Sequence, residues 1–255
     1  MPNDLNKIQN NMSNPERTLT KNKVSTFIIR IDLDMSSELD YGEISDALGK
    51  VFPNKQIQIS PHFNVNLDNV SIEKVEVKKF LFFIEPNVRL EVSPVDKAII
   101  FSSNYYTTND LYKERLGKIV EVFGERTGGT LKARRIGMRF INTFPANKDG
   151  NLPTVLNASE TKILKDSLAK KNDLSRLIMV DEYLKEDYRI RVQYGVPNKF
   201  YPNRISSQDV ILDIDVYSEG LQPIENWCDM ISVYNHAAFD TFMGYVRGEV
   251  VEALR

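Results

Sequence analysis

Two arginines and a glycine near the middle of the chain are the strongest candidates for chemistry. Arg135, Gly137 and Arg139 alternate with apolar residues in the run LKARRIGMRFIN, at positions 131–142. Residues two apart on a β-strand project from the same face, so these three share one face. Two guanidinium groups beside a glycine, which lets a ligand approach the backbone, suit a phosphate or a carboxylate. The pattern is compatible with a site for an anionic ligand.

A later strand offers acidic partners for the same arginines. Leu212, Ile214 and Val216 alternate with Asp213 and Asp215, so the two carboxylates share the face opposite to the apolar one. If the two strands lie close together, the arginines pair with the aspartates, and the pairs fix the strand register or the seam between halves. We favour this structural interpretation over ligand binding.

Other chemistry has less support. As ligands of a divalent metal in a hydrolase, Asp213 and Asp215 are too few, because hard cations take more oxygen donors than two. His236 precedes Asp240 by four residues on a helix, a spacing that lets a carboxylate orient an imidazole, but no nucleophile is tied to them. Cys228 stands among apolar residues, as a small core side chain does.

We predict no catalytic residue, no metal and no cofactor. The candidate ligand-binding residues are Arg135, Gly137, Arg139, Asp213, Asp215 and His236.

The composition restricts the classes of function. Of 255 residues, 42% are hydrophobic and 27% are charged, as in an ordinary globular protein. The formal net charge of −2 provides no global field for nucleic acid or an anionic bilayer. One cysteine and two histidines, His62 and His236, are too few for a His/Cys zinc site. Without a secretory signal or a run of apolar residues long enough to cross a bilayer, we expect a cytoplasmic protein.

The elements that position these residues follow from hydrophobic periodicity. In the first half we predict a strand from residue 24, a helix at 41–52, strands at 72–84, 89–93 and 98–104, and a helix from Thr108 to Gly124 or Gly128-Gly129. In the second half we predict a strand at 131–144, a helix at 158–170, strands at 177–183, 188–196 and 210–217, and one long helix at 223–254. Each half thus has the order β-α-β-β-β-α.

The predicted fold is therefore α+β, with two pseudo-repeats whose antiparallel sheets pack on long helices in a helix-grip-like arrangement. Residues 1–22 are rich in Asn and Lys with few apolar side chains, which predicts a flexible tail. The first half is expected at 23–129 and the second at 130–255, either as two domains or as one integrated domain. The long C-terminal helix would span roughly 45 Å.

Four segments occur in a recognisable order: LEVSP at 90–94, IFSS at 100–103, RIGMRFIN at 135–142 and LDID at 212–215. Together they resemble a family of sporadically distributed, uncharacterised prokaryotic proteins of similar length. The resemblance runs from about Val24 to the C-terminus, and Met138 and Phe140 stand where the family motif has Leu and Tyr. It implies no assigned reaction, and the patchy distribution implies a mobile or defence-linked gene neighbourhood.

We therefore expect a non-enzymatic accessory or regulatory protein that binds a protein partner encoded nearby in a prokaryotic defence or mobile-element operon. The alternative is a module that binds a nucleotide or another small anion through Arg135 and Arg139. The two hypotheses differ in whether these arginines face Asp213 and Asp215 or an open cleft.

Overall fold

A computed structural model describes residues 19–21, 23–34, 39–66, 71–129, 131–169 and 173–255. At 62–66 and 71–75 it describes the backbone alone. The described part contains ten strands and five α-helices, which confirms the α+β class. The first half comprises β1 (Val24–Asp34), α1 (Tyr41–Val51), β2 (Lys55–Asn66), β3 (Ser71–Glu85), β4 (Val88–Ser93), β5 (Ala98–Ser103) and α2 (Asn109–Thr127). The second comprises β6 (Lys132–Phe144), α3 (Ala158–Ala169), β7 (Leu177–Leu184), β8 (Arg189–Val196), β9 (Val210–Tyr217), β10 (Gln222–Pro223), α4 (Trp227–Tyr245) and α5 (Gly248–Leu254).

The strands form one antiparallel sheet in the order β2-β3-β4-β5-β1-β6-β9-β8-β7, with β10 beside β6. The central strands β1 and β6 are the first of each half, and they pair with Ile29 opposite Met138 and Phe27 opposite Phe140. Each half therefore supplies one side of a continuous sheet.

The hydrophobic core lies on one face of this sheet. Alternate residues of β1 are almost completely buried, as the period of two predicts: Phe27, Ile29, Ile31 and Leu33. The ring of Tyr112 on α2 lies 4.6 Å from that of Phe27, and α4 packs on β6 and β9. Buried residues of α1 belong to the same cluster. The described helices thus pack on one face of the sheet, and the opposite face of β1, β6 and β9 carries mostly polar side chains with Ile28 and Ile141 among them.

Strand β2 is an element that the sequence did not predict. Ile57 and Ile59 alternate with polar residues, but Pro61 interrupts the run, and a proline within a run argues against a central strand. Among the described strands β2 pairs only with β3 and forms an edge of the sheet, where a proline is tolerated. The first half therefore has one strand more than the predicted order.

The long C-terminal helix is present as α4, but it ends earlier than predicted. It covers 19 residues, or about 28 Å, and is followed by the short α5. Val246 forms a β-bridge with Leu156, and the N–H of Arg247 donates to the carbonyl oxygen of Val155 at 3.0 Å. The backbone N–H of Asn157 donates to the carbonyl oxygen of Tyr245 at 2.9 Å. These tertiary hydrogen bonds interrupt the helix that the apolar pattern alone would continue.

The predicted flexible tail lies mostly outside the described residues. Its described part, 19–21, is attached: Leu19 packs against the core, and the N–H of Lys21 donates to the carbonyl oxygen of Leu254 at 3.0 Å. These contacts join the described part of the segment to the core and to the last helix, and the flexibility of the tail stays a prediction. Within the described ranges, no helix combines the length and apolar composition that crossing a bilayer requires.

Candidate functional site

The predicted arginines and aspartates lie on the face of the sheet opposite to the described helices. Met138 and Phe140 of β6 are buried on the core side, so Arg139 between them projects to the other side. In the strand register, Arg139 lies opposite Ile28 of β1 and Asp215 of β9. The four predicted residues, Arg135, Arg139, Asp213 and Asp215, are thus brought onto one surface.

Arg139 forms a two-pronged ion pair with Asp213. Its Nε lies 2.8 Å from Oδ1 and its Nη2 lies 2.5 Å from Oδ2. Asp213 is 4% exposed, whereas the Arg139 side chain is 39% exposed, so the carboxylate is buried beneath the guanidinium. The hydrogen bond with Asp213 raises the pKa of Arg139. The pairing predicted for this arginine is confirmed.

Arg135 pairs with the second aspartate. Its Nη2 lies 2.9 Å from Oδ2 of Asp215, and its guanidinium lies 4.5 Å from the ring centroid of Tyr217, a cation–π contact. Burial raises the pKa of Asp215, and the nearby charges of Arg135 and Arg139 oppose that effect. Each predicted arginine therefore has its own acidic partner on β9.

Gly137 makes room for a side chain of the chain itself. A Cβ atom at this position would lie 3.2 Å from Cζ and Nη2 of Arg135 and 3.2 Å from Cβ of Tyr217. The space above the glycine is therefore filled by the guanidinium of Arg135. This corrects the interpretation that the glycine lets a ligand approach the backbone.

Further ion pairs extend the same surface across neighbouring strands. Arg30 of β1 bonds to Asp32 at 2.7 Å, and on β8 Arg189 lies 2.9 Å from Glu219. These residues were not predicted from the sequence, although Arg30 and Asp32, like Arg189 and Arg191, show the same spacing of two. We call this set the charged face, and it consists of Arg30, Asp32, Arg135, Arg139, Glu182, Arg189, Arg191, Asp213, Asp215 and Glu219.

The two aspartates of β9 are held in ion pairs with Arg135 and Arg139. Both aspartates of β9 are engaged by guanidinium groups, so a metal-dependent hydrolase that used them would first have to break both ion pairs. Among the described residues, no three His, Cys, Asp or Glu side chains form a group that would hold a metal ion.

His236 does not join the other candidates. It lies on α4, which packs on the core side of the sheet, and its Nδ1 is 2.8 Å from the carbonyl oxygen of Ser232 one turn earlier. The neighbouring Asn235 accepts a hydrogen bond from the hydroxyl of Tyr106 at 2.9 Å. A ligand on the charged face cannot reach His236, so the structure separates this residue from the predicted set.

A cleft of about 740 Å³ lies away from the charged face, between the end of α1, the β3–β4 turn and α2. Glu85 at its wall accepts a hydrogen bond from the hydroxyl of Tyr105 at 2.6 Å and pairs with Arg115. These bonds lower the pKa of Glu85. This cluster was not predicted from the sequence, because its members lie far apart in the chain, on β3, in the loop after β5 and on α2.

The comparisons with known proteins identify no relative. No family model, curated protein or solved structure matches the chain. The function is therefore inferred from the charged face.

Proposed function

We propose that this chain is a non-enzymatic accessory or regulatory protein that binds a protein partner through the charged face. The supporting observation is that Arg135 and Arg139 are held by aspartates of the next strand while their side chains remain 26% and 39% exposed. An arginine already held in one geometry loses little conformational entropy when a partner contacts it. Arginine is also enriched among the residues that dominate binding energies at interfaces.

The balance of charge on this face suits a protein better than a free anion. Its cations and carboxylates are equal in number and alternate from strand to strand, so their fields largely cancel over a Debye length. Partly buried apolar side chains lie between them: Ile28, Ile100 and Ile141. A protein surface can match both the alternating charges and the apolar positions, whereas a phosphate meets a carboxylate beside every guanidinium.

We also infer that the two halves are pseudo-repeats in a helix-grip-like arrangement. The support is their common path through the sheet. Each half starts at a central strand, β1 or β6, passes through a helix to outer strands, and returns with β5 beside β1 or β9 beside β6. A long helix, α2 or α4, then follows.

The partner is encoded next to the gene for this chain, in a prokaryotic defence or mobile-element operon. This part of the proposal rests on the resemblance of the LEVSP, IFSS, RIGMRFIN and LDID segments to a patchily distributed prokaryotic family. It specifies which gene products to look for first.

Affinity purification of the tagged full chain from its native host tests the proposal. We expect the product of a neighbouring gene in stoichiometric amount, and we expect Arg189→Glu/Arg191→Glu to lose it because the change reverses two cations of the charged face. Lys162→Glu/Lys165→Glu is the matched control, since these lysines are exposed on α3, outside that face. If the wild-type chain purifies alone under gentle conditions, or if the arginine variant retains the partner, the proposal is wrong.

A further inference from the structure

The outer edge of β2 is a second surface, separate from the charged face. Within the part of the chain that the structure describes, β2 ends the sheet and pairs only with β3. The carbonyl oxygen of Asn54, just before β2, accepts from the N–H of Phe83 on β3 at 2.9 Å. Because successive residues of a strand direct their backbone groups to opposite sides, the backbone groups of Lys55, Ile57 and Ile59 face away from the sheet. They form a row of hydrogen-bonding groups at the edge.

Apolar side chains accompany this row. Ile57 and Ile59 are 49% and 56% exposed, which is high for isoleucine. Ile57 lies opposite Phe80 in the strand register, and Phe80 is 7% exposed in the core. The apolar face of the sheet therefore continues to this edge, where Ile57 and Ile59 remain exposed.

The same edge lacks the charges that usually prevent strand association. From Gln56 to Asn66 β2 has no charged residue. The ammonium group of Lys55 is engaged within the chain, 2.9 Å from Asp46. Edge strands commonly carry exposed charges that discourage pairing with another chain, and β7 at the opposite edge has Asp181 and Glu182.

The β2–β3 ribbon also extends beyond the rest of the sheet. β4 pairs with β3 only over 80–85, whereas β2 pairs with β3 back to residue 71. The stretch 71–79 with its partner 58–66 is therefore a two-stranded ribbon, and two strands alone are marginally stable in water. A strand added along 55–59 of β2 would meet only the first residues of this ribbon.

We propose that two copies of this chain pair β2 with β2 in antiparallel orientation about a two-fold axis, joining their sheets into one. A two-fold interface places a surface against itself, so like charges on that surface would repel each other. From Gln56 onward β2 has no charged residue and therefore avoids this repulsion. Pro61 has no N–H and limits the fully bonded stretch to 55–59, with Ile57 next to the axis. A charged second edge, β7, keeps the assembly from growing further.

Light scattering on the full chain during size-exclusion chromatography, over a concentration series, tests the pairing. We expect twice the chain mass of 29.3 kDa. Ile57→Lys places two ammonium groups at the axis and removes two isoleucine contacts, so the dissociation constant should rise about 100-fold. Val180→Lys is the matched control, since Val180 is 47% exposed on the opposite edge, and it should stay dimeric.

Two further variants separate pairing from misfolding. Ile57→Pro removes an outward N–H that β3 does not use, so it should give a folded monomer by circular dichroism. A mixture of Ile57→Lys and Ile57→Glu chains should form mixed dimers, because opposite charges then meet at the axis. A wild-type monomer at all concentrations, a dimeric Ile57→Pro, or a lysine–glutamate mixture that stays monomeric overturns the proposal.

Discussion

The guanidinium of Arg135 stacks on the ring of Tyr217, with 4.5 Å between Cζ and the ring centroid. The same guanidinium bonds to Asp215 and lies above the backbone of Gly137. Three contacts on two strands thus hold one side chain at the centre of the charged face. Under the proposed function, these restraints reduce the conformational entropy that Arg135 would lose on contact with a partner.

Replacing Gly137 with alanine should destabilise the fold. The added Cβ would lie 3.2 Å from both Arg135 and Tyr217, so we expect a loss of about 1 to 3 kcal/mol in the free energy of unfolding from overpacking. Urea denaturation measures it. The control is Gly124→Ala in α2, where a Cβ meets nothing within 4 Å and helix propensity should add about 0.5 to 1 kcal/mol. A neutral Gly137→Ala would show that Arg135 does not occupy this space.

The two partners of the Arg139–Asp213 pair should differ in the cost of their removal. Arg139→Met leaves a carboxylate that is 4% exposed without a counter-charge, which should cost about 3 to 5 kcal/mol. Asp213→Asn leaves a guanidinium that is 39% exposed and that water can solvate, so about 1 to 2 kcal/mol is expected. Denaturant unfolding of both variants gives the comparison. Equal costs would mean that Asp213 is more accessible to water than the structure shows.

Two acids should affect the pH dependence of stability in opposite directions. Burial raises the pKa of Asp215 in the folded protein. Its contribution to the free energy of unfolding is therefore complete below the pKa of an unfolded aspartate, and it is lost as pH rises through the pKa of Asp215 in the folded protein. Hydrogen bonds from Tyr105 and Arg115 lower the pKa of Glu85 in the folded protein. Its contribution to the free energy of unfolding is therefore present above the pKa of an unfolded glutamate, and it is lost as pH falls through the pKa of Glu85 in the folded protein.

Relative to wild type, Asp215→Asn should therefore gain stability as pH rises from acidic to neutral, and Glu85→Gln should lose it. The difference from wild type in the free energy of unfolding, measured in urea at each pH, isolates these groups from the others that titrate. Slopes of the same sign for the two variants would contradict the environments described for them.

Small anions should not stabilise the protein if the guanidinium groups are already engaged. A ligand present at one hundred times its dissociation constant would add about 2.7 kcal/mol and raise the melting temperature. We expect no such shift in a thermal-melt panel of nucleotides and phosphorylated metabolites. A shift that Arg139→Lys abolishes, because lysine cannot form the two-pronged contact, would favour the anion-binding alternative.

Much of the fold follows from local patterns, and the exceptions have physical causes. Period-two alternation predicted β6 and β9 nearly to the residue, since each buries one face. β2 was missed because Pro61 is acceptable only at an edge, and edge position is a property of the assembled sheet. The end of α4 was missed because the competing hydrogen bonds come from Val155 and Asn157, far away in the sequence.

The candidate site likewise depends partly on local sequence patterns and partly on contacts that form only in the folded protein. The sequence alone determined that Arg135 and Arg139 share a face, and likewise Asp213 and Asp215, because alternation within a strand is a local property of the backbone. The tertiary structure decided which partners meet: Arg139 lies opposite Asp215 in the register but bonds to Asp213, leaving Asp215 to Arg135. It also decided that Gly137 accommodates a guanidinium, since the packing of side chains across strands depends on a register and twist that no single segment contains.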